Sequence, residues 1–255
     1  MRIPVVHHAT RRRRAFRRRL VWTGGELLVT VGVVLLLLVV HQLWWTNREA
    51  QQGAERKVQA LEREWGEPGD SSGSSTVGSA RSAEAGSGTT KTPSQRRQTV
   101  AVRPARSQAY AVLAVPRLSL RAPVAEGISK TGVLNKGYVG HYPGTAQPGQ
   151  AGNFAVAGHR NTHGEPFRHL DRLRPGDTVT VETRAATYTY VVDQVLPQTS
   201  AGDGGVIAPV PRSGVSPSHG YEHRGYYLTL TTCTPEFTSR YRLVVWGVLA
   251  SARPR

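Results

Sequence analysis

The chain has 255 residues, 38% of them apolar, with a formal net charge of +16 and one cysteine. That length holds one sizeable domain with extensions, and a single cysteine excludes an internal disulfide framework. Half of the positive excess lies in residues 1–20, which carry eight arginines and no acid, so the charge does not imply a basic folded surface.

Such an arm can bind nucleic acid, but here a hydrophobic run follows it directly. Membrane topology explains the block better, and no nucleic-acid partner is expected. Residues 1–19 read as a cytoplasmic basic N-terminus and residues 20–45 as a transmembrane signal-anchor. A bilayer needs about 20 apolar residues in a helix. Leu20 to Val40 supplies them, with Glu26 near the cytoplasmic end, where an ionisable side chain reaches the headgroups at modest cost. Trp44 and Trp45 suit an interfacial aromatic belt at the far end. The bulky His41-Gln42-Leu43-Trp44-Trp45 lacks the small residues of a signal-peptide cleavage site. The expected product is a single-pass membrane protein with its N-terminus in the cytoplasm and the remainder outside the cell.

Residues 46–107 read as a stalk and linker. Thr46 to Trp65 is rich in Glu, Gln, Arg and Ala and extends the membrane helix. Gly66 to Thr99 is dominated by Ser, Gly and Thr, too poor in apolar surface to offset its ordering entropy, and is expected to be a disordered tether.

From Gln108 to Arg255 the texture changes to short apolar runs punctuated by Gly and Pro. Strands are expected at Tyr110–Val115, Ala122–Val124, Gly152–Gly158, Thr178–Thr183, Ala186–Leu196, Tyr226–Cys233 and Tyr241–Leu249. Helical signal is limited to Ser129–Leu134 and Pro166–Leu173, and Gln198–Gly220 reads as a long loop. Many short strands with turn signals fit a closed barrel or a sandwich.

The cysteine, Cys233, ends the strand Tyr226-Tyr227-Leu228-Thr229-Leu230-Thr231-Thr232. With a period of two, Leu228 and Leu230 share one face and Thr229, Thr231 and Cys233 the other. The leucine face suits the core, so the thiol sits at a strand tip on the more polar side. Free cysteines are often mere core filler, but this placement favours a working thiol. A nucleophilic thiol needs a base and a cation for the oxyanion, because little of it is thiolate at neutral pH. Among His141, His159, His163, His169, His219 and His223, the best base is His159, which ends the strand Phe154–Gly158. Strand ends are rigid and open to solvent, as proton transfer requires. The cation candidates are Arg240 and Arg242. Arg242 is in line with Val244 and Trp246 on an apolar strand, where an unpaired arginine costs desolvation energy.

Thr-Leu-Thr-Thr-Cys-Thr-Pro at 229–235, Arg242 opening Arg-Leu-Val-Val, and Ala-Gly-His-Arg at 157–160 together resemble the sortases, cysteine transpeptidases of Gram-positive cell surfaces. His-Tyr-Pro-Gly-Thr-Ala at 141–146, Gly-Asn-Phe at 152–154 and Thr-Cys-Thr-Pro-Glu-Phe at 232–237 look like class E of that family. The resemblance covers roughly residues 108–251. It implies an all-β fold: an eight-stranded sortase-type β-barrel with one or two short helices, preceded by the transmembrane helix. It implies Cys233 as nucleophile, His159 as general acid/base and Arg242 as oxyanion and substrate clamp. Tyr142 matches a tyrosine associated with preference for Leu-Ala-x-Thr-Gly over Leu-Pro-x-Thr-Gly, and Thr232 is expected to line the groove. Tyr142 as barrel-edge packing and Thr232 as an ordinary strand residue are the plain alternatives. The implied reaction cleaves a sorting signal between Thr and Gly and joins the Thr carboxyl to an amine. The implied partners are surface proteins bearing a C-terminal sorting signal and a peptidoglycan precursor resembling lipid II. No cofactor is expected. Glu126, Glu165, Asp171, Asp177, Glu182 and Asp193 are too scattered for a calcium site, and there is no Cys/His pattern for zinc.

Two rivals remain at this level. An L,D-transpeptidase would need a cysteine just after Ser218-His219-Gly220, where Tyr221 and Glu222 stand instead. A displayed binding domain with an inert thiol would survive loss of Cys233.

Overall fold

The structure is a computed structural model that describes residues 8–66 and 104–255. Most of the tether expected between Gly66 and Thr99, and the first seven residues, lie outside the described residues. One helix, α1, runs unbroken from His8 to Gly66. Its apolar part reaches a mean hydropathy of 2.4 over 18 residues, none of them buried, which is long and apolar enough to cross a membrane.

Eight strands follow: β1 (Ala109–Val115), β2 (Leu120–Glu126), β3 (Val139–His141), β4 (Gly152–Ala157), β5 (Thr178–Thr183), β6 (Ala186–Ser200), β7 (Tyr226–Thr234) and β8 (Tyr241–Pro254). They close into a barrel in the order β1-β2-β3-β4-β7-β8-β6-β5. The β2–β3 and β4–β7 pairs are parallel and the others antiparallel. The short helices of the barrel domain are 3-10 turns at Pro116–Leu118, Leu134–Lys136, Leu170–Arg172 and Gly204–Ile207. β3 has no counterpart among the strands expected from the sequence. Three residues are too few to show alternation.

The core follows the period-two rule. Leu113, Val124, Phe154, Val156, Leu228, Leu230, Leu243 and Val245 point inward and are almost wholly buried. Two strands depart from simple alternation because their outer faces are covered as well. Outside β1, Val112 packs with Ala125 and Val133 against Val58 and Leu61 of α1. Outside β8, Val244 and Trp246 lie beneath Val206 and Leu196. A strand buried on both sides reads as a continuous apolar run rather than an alternating one, as Ala-Val-Leu-Ala-Val and Leu-Val-Val-Trp do here.

The polar half of α1 therefore lies against the barrel. Ala50, Ala54, Val58 and Leu61 are its buried residues, and spacings of four, four and three put them on one helical face. Glu62 pairs with Arg121 of β2, and the Arg255 guanidinium lies 4.9 Å from the ring centre of Trp65. Burying Val58 and Leu61 stabilises the contact by roughly 1.5–3 kcal/mol each.

Candidate active site

Cys233 on β7 pairs directly with Arg242 on β8. Directly opposed residues share a sheet face, with Cβ atoms about 4.5–5.5 Å apart. Since Leu230 and Leu243 point into the barrel, the alternation sends both Cys233 and Arg242 outward. The free thiol is half-buried. Cys233, His159 and Arg242 all line one cleft of about 760 Å³, with Lys130, His163 and residues 44, 46 and 47 of α1.

His159 stands two residues beyond β4. Its carbonyl accepts the Phe167 N–H at 3.0 Å. A side chain at Gly158 would meet the Phe167 ring at 2.7 Å, so only glycine lets the chain pass there. The His159 ring is fixed from outside: Nε2 lies 2.9 Å from Asn135 Oδ1. With the amide oxygen accepting, Nε2 carries the proton and Nδ1 holds the lone pair. Burial, and then the neighbouring His163 and Lys130, push the imidazole pKa below its ordinary 6.5. Partial desolvation and like charge both penalise the imidazolium, so the ring is neutral at pH 7.

His163 stacks on His159 with ring centres 5.4 Å apart. The other histidines line no part of this cleft. His141 is wholly buried, with Nδ1 2.6 Å from Glu126 Oε2 and Nε2 3.1 Å from the Ala146 carbonyl. It is spent on holding the 141–146 turn.

Arg242 Nη1 donates to the carbonyls of Ser239 and Tyr241, both at 2.9 Å. Among the described residues it has no carboxylate partner, so its charge is left for a ligand. Arg240, the other cation considered, lies over the Tyr241 ring at 5.2 Å. Arg160 was not singled out by the sequence reading. It is 7% exposed. Its Nη1 donates to Thr234 Oγ1 at 3.0 Å and to the Cys233 carbonyl at 3.4 Å, and its Nη2 meets Asp171 at 3.5 Å. It ties the histidine loop to the strand end bearing the thiol. Asn135 was missed too, because nothing in Leu134-Asn135-Lys136 announces that a tertiary contact brings it to His159.

Tyr142 and Thr232 fall outside the lining of this cleft. The Tyr142 hydroxyl lies 3.1 Å from Thr231 Oγ1, and Thr231 shares the face of Cys233 two residues away. Thr232 has the opposite parity. It is 3% exposed and donates to the Gly158 carbonyl at 2.8 Å, stitching β7 to the end of β4. Among the described residues no group of three or more His, Cys, Asp or Glu side chains is arranged to hold a metal ion.

Comparison with known proteins agrees with this geometry. Residues 113–250 match the sortase domain family. Sortase SrtE1 of Streptomyces coelicolor is 41% identical over 219 residues, covering 84% of this chain and 53% of that protein. The chain thus spans about half the length of that relative. Sortase SrtE2 of the same organism is 32% identical over 212 residues, covering 81% of this chain and 73% of its own. Among solved structures, sortase E1 of Streptomyces coelicolor, crystallised with a tripeptide in its active site, superposes with a TM-score of 0.55 at 48% identity. The match covers 60% of this chain and 94% of that one. Sortase E of Streptomyces avermitilis gives 0.52 at 44% identity over 59% and 93%. A family match across most of the barrel, with relatives and solved structures of one class on either side of it, places this chain in the sortase family, in class E.

Proposed function

We propose that the protein is a membrane-anchored cysteine transpeptidase, with Cys233 as nucleophile, His159 as general acid/base and Arg242 as oxyanion clamp. The observation that carries this reading is the cross-strand pairing of Cys233 with an acid-free Arg242 at a cleft that His159 also lines. The substrate is a sorting signal of the Leu-Ala-x-Thr-Gly type at the C-terminus of a surface protein. The acceptor is an amine on a peptidoglycan precursor resembling lipid II. Helix α1 is the anchor, with the N-terminal arginines in the cytoplasm and the barrel outside.

Neutral His159 takes the thiol proton as sulfur attacks the threonine carbonyl carbon. The negative charge moves to the carbonyl oxygen, where the Arg242 guanidinium offsets it. Collapse breaks the C–N bond, and the imidazolium returns its proton to the departing glycine nitrogen. A thioester remains on Cys233. The acceptor amine attacks it, gives a proton to His159 and expels the sulfur, which is reprotonated. One amide is exchanged for another through the thioester, so no nucleotide triphosphate is consumed. Tyr142, its hydroxyl held 3.1 Å from Thr231 Oγ1, offers that hydroxyl to the residues preceding the scissile bond. Thr232 supports the floor of the groove from behind.

The test is direct. Full-length protein in detergent micelles, incubated with a Leu-Ala-x-Thr-Gly peptide and an oligoglycine amine, is expected to give a Thr-linked amide detectable by mass spectrometry. Absence of such a product with every sorting peptide tried overturns the proposal.

Asn135 gives a second expectation. Asn135→Ala frees the His159 ring and is expected to lower kcat about fivefold to tenfold, the worth of one well-placed hydrogen bond. Asn135→Asp keeps an acceptor but adds a negative charge, which favours the imidazolium. The acid limb of its pH–rate profile is expected to move to higher pH than in the wild type.

A further inference from the structure

The catalytic cleft has a wall that the barrel does not supply. Trp44, Thr46 and Asn47, on the first turns of α1 beyond its apolar stretch, line it beside Cys233, His159 and Arg242. The contact is specific. Asn47 Oδ1 accepts the Gly164 N–H at 2.6 Å, across 117 residues of sequence, and Gln51 Nε2 reaches the Gly164 carbonyl at 3.5 Å. Gly164 lies in the loop that follows His159, between His163 and Glu165. All three residues have positive φ, at 53°, 84° and 49°. Left-handed non-glycine residues are strained and persist only where surrounding structure holds them.

The same turn of α1 also touches the other side of the histidine. A side chain at Gly137, next to the Leu134–Lys136 turn that carries Asn135, would meet the Ala50 carbonyl at 2.8 Å. A side chain at Gly164 would stand 3.3 Å from Gly137 Cα and 3.4 Å from the Gln51 nitrogen. Three backbones, from α1, the Asn135 turn and the His163 loop, therefore meet where only small residues fit. Ala50, buried at that point, keeps the helix close enough.

We infer that the segment Trp44–Gln51 of α1 is a built part of the catalytic centre, and that Asn47 is a positioning residue which holds the 163–165 loop and, through it, His159. The inference rests on the transpeptidase reading for its kinetic consequence, but its structural half stands alone. The acceptor at position 47 does the work, so aspartate substitutes for asparagine and alanine does not.

The test compares wild type, Asn47→Ala and Asn47→Asp, each as the full chain in detergent micelles, by two measurements. Amide hydrogen exchange over residues 159–167 reads the clamp without reference to activity. Exchange is expected to quicken about fivefold to tenfold in Asn47→Ala, with near wild-type protection in Asn47→Asp. Kinetics on a Leu-Ala-x-Thr-Gly peptide read the consequence: kcat is expected to fall by a similar factor in Asn47→Ala with KM changed less than about twofold. Unchanged exchange in Asn47→Ala overturns the clamp. Faster exchange with unchanged kcat overturns its role in positioning His159. If the wild type itself forms no product, the transpeptidase reading fails and the catalytic half of the inference falls with it, while exchange still decides the clamp.

Discussion

Replacing Cys233 by alanine is expected to abolish amide formation, a fall of at least about a thousandfold, because on the proposed mechanism the sulfur itself carries the acyl group between donor and acceptor. The fold should survive. The thiol is half-buried at a strand end and makes no disulfide, so the loss is expected to cost no more than about 1 kcal/mol. Product formation followed by mass spectrometry, alongside thermal melting, separates the two effects. The same variant distinguishes the rival reading: a displayed binding domain would keep its function without the sulfur. A single cysteine also makes the chemistry easy to count. One equivalent of an alkylating reagent per chain should remove all activity, and prior incubation with a sorting peptide should slow that labelling.

The second large effect is expected at His159. His159→Ala removes the proposed general acid/base of both half-reactions and should lower kcat by about a hundredfold to ten-thousandfold. The pH dependence then has a definite sign. The His159 pKa is held below 6.5 by burial and by the neighbouring His163 and Lys130. Activity that needs the neutral ring should therefore hold below pH 6.5 and decline only as pH falls through the lowered value. His159→Ala should lose that limb. Stability follows the same group. Between the lowered pKa and 6.5 the unfolded chain binds a proton that the folded chain does not. The fold is therefore expected to lose stability as pH falls below 6.5, and His159→Ala should flatten that slope. Thermal melting across pH 5 to 7.5 would show whether it does.

Much of the barrel was legible because its inner and outer residues alternate. The strand ending at Cys233 is the clearest case: Leu228 and Leu230 entered the core and the cysteine took the other face, as parity required. The nine-residue spacing from Cys233 to Arg242 became a direct cross-strand pair. What the sequence concealed were contacts between distant segments. Asn135 reaches His159 from 24 residues away, and Arg160 reaches the end of β7 from 74 residues away. Neither has a local pattern. The docking of α1 did have one. Ala50, Ala54, Val58 and Leu61 repeat at helical spacing, but two alanines form a faint stripe amid Glu, Gln and Arg, and the segment read as a polar stalk. The helix expected at Ser129–Leu134 is a single turn, with Val133 N–H bonded to the Ser129 carbonyl, that leads into the 3-10 turn at Leu134–Lys136, and the one expected at Pro166–Leu173 is reduced to the 3-10 turn Leu170–Arg172, because each segment is too short to sustain an α-helix.

The place where α1 meets the barrel sets a distance as well as a contact. Asn47 follows Val40 by seven residues, about 10 Å of helical rise, so with α1 as the proposed anchor the Cys233 sulfur would work within a thin film above the lipid. A tail leaving the bilayer and an acceptor riding in it would then encounter the enzyme by lateral diffusion in two dimensions. Turnover in a cell should accordingly scale with the number of substrates per unit area of membrane.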